Sequence, residues 1–202
     1  MEIYPLTVGI DASYQAVPYE PLLERAMNDV DAAEALQFFG ELATVELAHS
    51  MFRDDPVWLE LSPIARRIVT EHPGILDRTL STRAWDAVHW LLSPRRRAGH
   101  DSDPAGLAEC AVFGVETFSR GARSTIGNPL RFVRPQTATA LAEFLDTATG
   151  TAADLFDPAA MAEAAVYKAP WDRDHVLDEL SRLARLYRHA GELGECVLVV
   201  HD

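Results

Sequence analysis

Three carboxylate–histidine pairs, each with a spacing of three residues, are the clearest candidates for chemistry in this sequence. On a helix, residues i and i+3 lie on the same side, so the carboxylate can accept a hydrogen bond from the imidazole. Such a bond fixes the tautomer and raises the basicity of the ring, which suits a general base or a metal ligand. Chance pairs are also expected among 31 acidic residues and 7 histidines. The three pairs are Glu46/His49, Asp86/His89 and Asp172/His175.

His89 is the strongest single candidate for a catalytic base, and Asp86 is its partner carboxylate. Trp85, His89 and Leu92 share one face of a predicted helix, so Trp85 is expected to line a ligand site beside the imidazole. The alternative is that His89 is a core histidine that donates a hydrogen bond to a backbone carbonyl. Asp172 stands at a predicted helix start, where an acidic residue is simply a good N-cap.

Eight arginines between positions 83 and 134 form a second candidate feature. Guanidinium groups bind carboxylates and phosphates through two parallel hydrogen bonds. We expect Arg123, Arg131 and Arg134 to bind an anionic ligand, helped by the backbone N–H groups of the glycine-bearing stretch 121–127. The alternative is that the arginines offset the charge of the acidic helices on either side. The eight are Arg83, Arg95, Arg96, Arg97, Arg120, Arg123, Arg131 and Arg134.

Other catalytic and metal-binding patterns are missing from the sequence. It has no Gly-x-Ser-x-Gly elbow, no His-Glu-x-x-His, no Gly-x-Gly-x-x-Gly and no Walker A loop. Cys110 and Cys196 have no partner at metal-ligand spacing and are expected in the core. We therefore predict no metal and no cofactor. Two cysteines with no disulfide framework favour a cytoplasmic location.

Net charge decides which classes of partner the chain can bind. Its 202 residues include 18 basic and 31 acidic side chains, a formal charge of −13. This excess opposes binding to nucleic acid and suits docking on a basic protein partner. No apolar stretch approaches the roughly 20 residues of a spanning helix, so no membrane association is expected. Residues 83–134 are the only cationic segment, and a small anionic ligand would bind there.

The first part of the chain is predicted to hold one strand and several helices. Glu2–Ile10 is expected to be an opening strand, and Tyr19–Leu47 is helical in composition. Ser62-Pro63 predicts a helix start, and His72-Pro73-Gly74 ends that helix. Ser81 is expected to cap a further helix that runs to Leu92.

The second part alternates helices with short strands. Cys196–Val200 is the clearest strand, and it is apolar on both faces. Helices must therefore cover both sides of the sheet. We predict an α/β three-layer sandwich, with a mixed sheet covered by helices, in a single domain over residues 1–202. The other predicted elements are a buried strand or short helix at Cys110–Val115, a strand at Arg131–Arg134, and helices over Ala138–Ala148, from Asp157-Pro158 and over Asp174–Ala190.

Four stretches, in this order, resemble the YfbM-like family of uncharacterised bacterial proteins, a domain of unknown function. In Leu80–Leu92, a Trp is followed four residues later by a His and then by an aromatic residue and leucines. The other stretches are Asn128–Pro135, Phe156–Trp171, and the long helix with Tyr187 that leads to Cys196–Val200. The resemblance covers residues 80–202, and residues 1–79 match it only loosely. It implies an α/β sandwich and no particular activity.

Two classes of function stay open at this point. The first is a non-enzymatic binding or interaction protein, which the missing catalytic patterns and the negative charge favour. The second is an enzyme or sensor for a small phosphorylated or carboxylated molecule. In that case His89 would be the general base, and Arg123, Arg131 and Arg134 would form an anion clamp. The sequence leaves the oligomeric state open.

Overall fold

Five strands form one sheet at the centre of the structure. The computed structural model describes residues 11–18, 21–47, 50–93 and 106–202. The predicted strand at Glu2–Ile10 and the three arginines Arg95–Arg97 lie outside these ranges. The strand order is β2-β1-β5-β4-β3. The strands are β1 (Ala12–Pro18), β2 (Thr79–Thr82), β3 (Glu116–Thr117), β4 (Arg131–Val133) and β5 (Glu195–His201).

The central strand is β5, which is buried along its whole length, as its continuous apolar sequence predicts. It pairs with β1 from Ala12 opposite His201 to Pro18 opposite Glu195, and with β4 on its other side. All pairings between the described strands are antiparallel. The α/β sandwich is confirmed, but the prediction of a mixed sheet needs correction.

One face of the sheet is covered by the four helices of the first part of the chain. Their buried residues pack against Val17, Phe132 and Leu198 of the sheet. The expected helical region at Tyr19–Leu47 is divided into three short helices, because Asp29 caps a new helix through the N–H of Ala32. The four are α1 (Pro21–Asn28), α2 (Val30–Leu36), α3 (Phe39–Thr44) and α4 (Pro56–Glu71).

The other face is covered by the five helices that the structure describes in the second part of the chain. They bury Tyr14, Val197 and Val199 of the sheet. The two longest helices pack closely, since a Cβ atom on Gly191 would lie 2.6 Å from Oγ1 of Thr139. No helix in the described ranges is long and apolar enough to cross a membrane. The five are α5 (Trp85–Leu92), α6 (Leu107–Phe113), α7 (Pro135–Leu155), α8 (Pro158–Glu163) and α9 (Arg173–Leu193).

Two predicted helix starts are wrong, because α4 begins at an earlier cap and Ser81 lies in a strand. Helix α4 begins at Pro56 because Asp55 accepts hydrogen bonds from the backbone N–H groups at the helix start. Pro63, predicted at a start, lies inside this helix. Ser81 lies in β2, opposite Ser13 of β1, so it cannot cap α5.

Candidate functional site

Helix α5 carries the three residues predicted for chemistry, and all eight of its residues are buried. It lies between the sheet and the neighbouring helices, so even its charged side chains face the interior. Asp86 Oδ2 accepts a hydrogen bond from the backbone N–H of Tyr167 at 2.8 Å. This bond ties α5 to the loop that follows α8. The structure therefore gives Asp86 a structural contact in addition to its predicted position beside His89.

His89 is only 7% exposed. Its ring packs edge-on against Phe113, with 4.9 Å between the centroids and 80° between the planes. Nε2 lies 3.6 Å from Oε1 of Glu109, which stands at the protein surface. The imidazole therefore lies against an aromatic ring in the interior of the protein.

A second histidine, His201, joins this group from the end of β5. Its ring lies 5.2 Å from the rings of both Trp85 and Phe113. Trp85 in turn stacks on Tyr167 at 6.4 Å. We call these five residues the histidine–aromatic cluster: Trp85, His89, Phe113, Tyr167 and His201. Sequence reasoning missed His201, although strand alternation places it on the same face as Val197 and Val199.

The hydrogen bond of His201 fixes its tautomer. Nε2 lies 3.0 Å from the carbonyl oxygen of Val112, which can only accept, so Nε2 carries the proton. Burial lowers the pKa of His201, with smaller effects from neighbouring charges that include Arg131 and His89. Among the described residues, neither Nδ1 of His201 nor Nε1 of Trp85 has a hydrogen-bond partner. His201 is thus a desolvated ring that carries its proton on Nε2.

Two buried tyrosines complete the contacts at the end of α6. The hydroxyl of Tyr14 donates to the carbonyl of Val112 at 3.0 Å, and that of Tyr187 donates to Ala111 at 2.9 Å. Burial raises the pKa of both hydroxyls well above the usual value for tyrosine. They stay protonated donors and hold the end of α6 against β1 and α9.

The three arginines of the predicted anion clamp lie in different surroundings. Arg134 forms a two-pronged ion pair with Glu116, at 2.6 and 3.0 Å, and its guanidinium lies over the Phe132 ring. Strand alternation puts Arg131 on the opposite face from Phe132, near His201. Only Arg131 is therefore close to the histidine–aromatic cluster.

Arg123 lies at a cleft of about 560 Å³ between α2 and the start of α4, on the α1–α4 face of the sheet. Its backbone N–H donates to Oε1 of Glu34 at 3.1 Å. Asp31 and Asp55 also line this cleft, so its lining includes three acidic residues and one arginine. Phe38, Val57 and Trp58 supply an apolar wall. We call this the acidic cleft, and sequence reasoning did not predict it.

The remaining carboxylate–histidine pairs have different outcomes. Asp172 accepts a hydrogen bond from the backbone N–H of His175 at 2.9 Å, which confirms the expected N-cap. His49 lies outside the described residues. Within the described ranges, no group of three or more His, Cys, Asp or Glu side chains could hold a metal ion. The absence of a metal and a cofactor stays a prediction.

Comparisons with known proteins agree with this architecture. A family model described as Domain of unknown function (DUF1877) matches residues 73–200. The crystal structure of YfbM from Escherichia coli, a protein of unknown function, is similar with a TM-score of 0.51 and 13% identity. That likeness covers 95% of this chain and 99% of YfbM, and at this identity it concerns the fold alone. No curated protein matches the chain.

Proposed function

We propose that this chain, which belongs to the family Domain of unknown function (DUF1877), is a non-enzymatic interaction protein. The resemblance to YfbM-like proteins predicted this family. The acidic cleft would dock a basic segment of a protein partner. The observation that carries the proposal is the lining of this cleft, which includes Asp31, Glu34 and Asp55 but only one basic residue, Arg123.

Charge supports a basic partner. The whole chain has a formal charge of −13, so its field attracts a cationic segment over a distance of about 10 Å at moderate ionic strength. The carboxylates of the cleft would then bind arginine or lysine side chains directly. Charge complementarity of this kind raises the rate of association and selects the partner.

The apolar wall supports a peptide rather than a free metal or a small ion. Phe38 and Val57 are half-buried at the cleft, and Trp58 is stacked on Phe52 with 3.8 Å between the ring centroids. Aromatic and aliphatic groups in a cleft bind the methylene stems of long basic side chains. A rigid aromatic pair also limits the entropy lost when a partner docks.

The enzymatic alternative has less support. His89 is buried beside Phe113, and the guanidinium groups of Arg123 and Arg134 are engaged elsewhere. A general base must come within hydrogen-bond reach of the proton that it removes. Of the three arginines of the predicted clamp, only Arg131 would be near a small anionic substrate at His89.

A peptide-binding assay tests the proposed docking. The probe is a fluorescein-labelled octapeptide that alternates arginine and glycine, followed by fluorescence anisotropy. We expect the double variant Asp31→Asn/Glu34→Gln to weaken binding by at least about tenfold, because two charge-assisted contacts are lost. Higher salt should weaken binding to the wild type.

The matched control removes two exposed carboxylates from the other face, with Glu163→Gln/Asp178→Asn. This control variant changes the net charge by the same amount as the cleft variant. Equal weakening in the two double variants would show that binding follows total charge, and the cleft proposal would then be rejected. Wild-type protein that fails to bind the probe even at low salt would reject it as well.

We also propose a cytoplasmic location, which the two cysteines support. Neither Cys110 nor Cys196 forms a disulfide. Burial raises the pKa of the Cys196 thiol to about 12, so it stays protonated and unreactive in the core. Proteins with such cysteines are typical of reducing compartments. Cell fractionation with a tagged chain tests this, and recovery from an extracytoplasmic fraction would contradict it.

A further inference from the structure

A second cleft, of about 460 Å³, lies on the other face of the sheet, between the end of β2 and the start of α9. Its floor and walls combine a buried carboxylate, an aromatic pair and two cations. The residues that line it include Thr82, Arg83, Lys168, Trp171, His175 and Glu179. We call it the Glu179 cleft, and none of its residues belongs to the acidic cleft.

Glu179 is the most unusual residue of this cleft. It is only 4% exposed, although it carries a carboxylate. Oε1 accepts a hydrogen bond from the Arg182 guanidinium at 2.7 Å. Oε2 is buried and has no hydrogen-bond partner among the described residues. A desolvated carboxylate oxygen is unfavourable unless a donor reaches it, so this position calls for a cationic donor.

The aromatic wall of the cleft suits the same kind of group. Trp171 donates from Nε1 to the carbonyl of Tyr167 at 2.7 Å, which fixes the orientation of the indole. The His175 ring stacks on the indole with 5.9 Å between centroids and 23° between planes. His175 and Glu179 lie one turn apart on α9, on the same side of the helix. The face of a tryptophan attracts an ammonium group.

The rim of the cleft, in contrast to the carboxylate inside it, carries positive charge. Lys168 is exposed and is the only lysine of the chain. Its Nζ lies 5.2 Å from the centroid of the Tyr167 ring. Arg83, also exposed, pairs with Asp11 through Nε at 2.9 Å. A ligand that places an ammonium group inside would therefore meet two cations at its outer end.

We propose that the Glu179 cleft binds a small zwitterion. Its ammonium group would donate to Oε2 of Glu179 against the indole of Trp171, and its anionic group would lie between Lys168 and Arg83. Carboxylate and phosphate are both suited to that outer position. Neither a simple amine nor a simple anion satisfies both ends of the cleft. This site is independent of the proposed docking of a basic segment on the opposite face.

Titration of ¹⁵N-labelled protein, observed by NMR, tests the proposal. The zwitterionic probes are γ-aminobutyrate and phosphoethanolamine, which differ in the anionic group. The single-charge probes are ethylamine and butyrate. We expect the indole N–H signal of Trp171, assigned with Trp171→Phe, to shift saturably with at least one zwitterion. The indole signal of Trp58, at the acidic cleft, should not move.

Two variants locate the contacts. Glu179→Gln keeps an oxygen for Arg182 and removes the charge, and it should weaken zwitterion binding by at least about tenfold. Lys168→Ala changes an exposed side chain, so it should fold normally even if the first variant does not. It should weaken binding by about threefold, and Lys168→Arg should restore most of the loss.

Several results would overturn the proposal. One is that no zwitterion shifts the Trp171 signal at millimolar concentration. Another is that ethylamine or butyrate alone binds as tightly as the zwitterions. A third is that a folded Glu179→Gln or Lys168→Ala variant binds as the wild type does. In each case Glu179 would be only the buried partner of Arg182.

Discussion

On the α1–α4 face of the sheet, the carboxylates of Asp31 and Glu34 stand at an open cleft, whereas on the α5–α9 face the imidazoles of His89 and His201 are packed against Phe113. Both faces hold residue types that can do chemistry. They differ in their access to water. The first set lines an open cleft, and burial lowers the pKa of His201 in the second.

This difference separates recognition from stability. Charged groups at an open cleft can bind a partner at little cost, because they remain partly solvated until it arrives. Rings inside a desolvated cluster stabilise the fold through packing and through bonds to backbone carbonyls. Residue type alone predicted a site at His89, whereas the docking that we propose is on the opposite face.

The largest expected effect is the loss of the Trp85 side chain. Trp85 is 5% exposed and touches the rings of Phe113, Tyr167 and His201. Trp85→Ala should lower the free energy of unfolding by about 3–5 kcal/mol, since it leaves a cavity in the cluster. Urea denaturation measures this, with Met51→Ala at an exposed position as the control. A loss below about 1 kcal/mol would return Trp85 to its predicted role as the wall of a ligand site.

A smaller effect is expected from a single buried hydroxyl on the same face. Tyr187→Phe removes the bond to the carbonyl of Ala111 and should cost about 1–2 kcal/mol. The control is Tyr167→Phe, because the half-buried Tyr167 hydroxyl has no hydrogen bond to another described residue. That variant should change the stability by less than about 0.5 kcal/mol. If Tyr187→Phe lowers the free energy of unfolding no more than Tyr167→Phe does, the hydrogen bond to Ala111 does not stabilise the fold.

Sequence reasoning succeeded where the signal was local. The uniformly apolar stretch at Cys196–Val200 predicted the central strand, and Asp157 and Asp172 predicted two helix starts. Each of these signals involves residues within one turn or one strand. The caps work through hydrogen bonds to N–H groups two or three positions away, and so the surrounding fold hardly affects them.

Signals that depend on distant pairing were missed or misread. The strand β1 begins at Ala12, and nothing near it in the sequence shows that Ser13 will pair with Ser81. Because Ser81 takes part in this strand pairing, it does not form the expected helix cap. The acidic cleft also depends on distant segments, since Glu34 meets Arg123 only in the folded chain. Alternation along a strand, by contrast, could have shown that Arg131 and Arg134 do not share a face.

Acid should destabilise the buried face through His201. Burial lowers the pKa of His201 below its usual value of 6.5, so the unfolded chain binds more protons than the folded chain below that pH. The contribution of His201 to stability is therefore complete above about pH 6.5 and declines as the pH falls below it. A single proton accounts for at most about 1.4 kcal/mol per pH unit. Urea unfolding at pH 7.5 and 5.5 measures the change.

Other groups of the protein also titrate as the pH falls. The prediction is therefore tested by comparing the pH dependence of stability in the wild type and in a variant without His201. His201→Gln retains a donor for the carbonyl of Val112 but does not titrate, so its stability should fall less between the two pH values. His175→Gln serves as the control, because His175 is exposed at the start of α9. An equal decline in the wild type and in His201→Gln would show that His201 is not a buried neutral ring.

The smallest effect on stability is expected at the acidic cleft. Glu34→Gln keeps an oxygen that can accept the hydrogen bond from the backbone N–H of Arg123, which lies 3.1 Å away in the wild type. The half-buried carboxylate is partly solvated, so the free energy of unfolding should change by less than about 0.5 kcal/mol. Urea denaturation at pH 7.5 measures it beside Trp85→Ala. A loss above about 1 kcal/mol would make Glu34 a structural group like those of the buried face, and the contrast between open recognition and buried stability would then no longer hold.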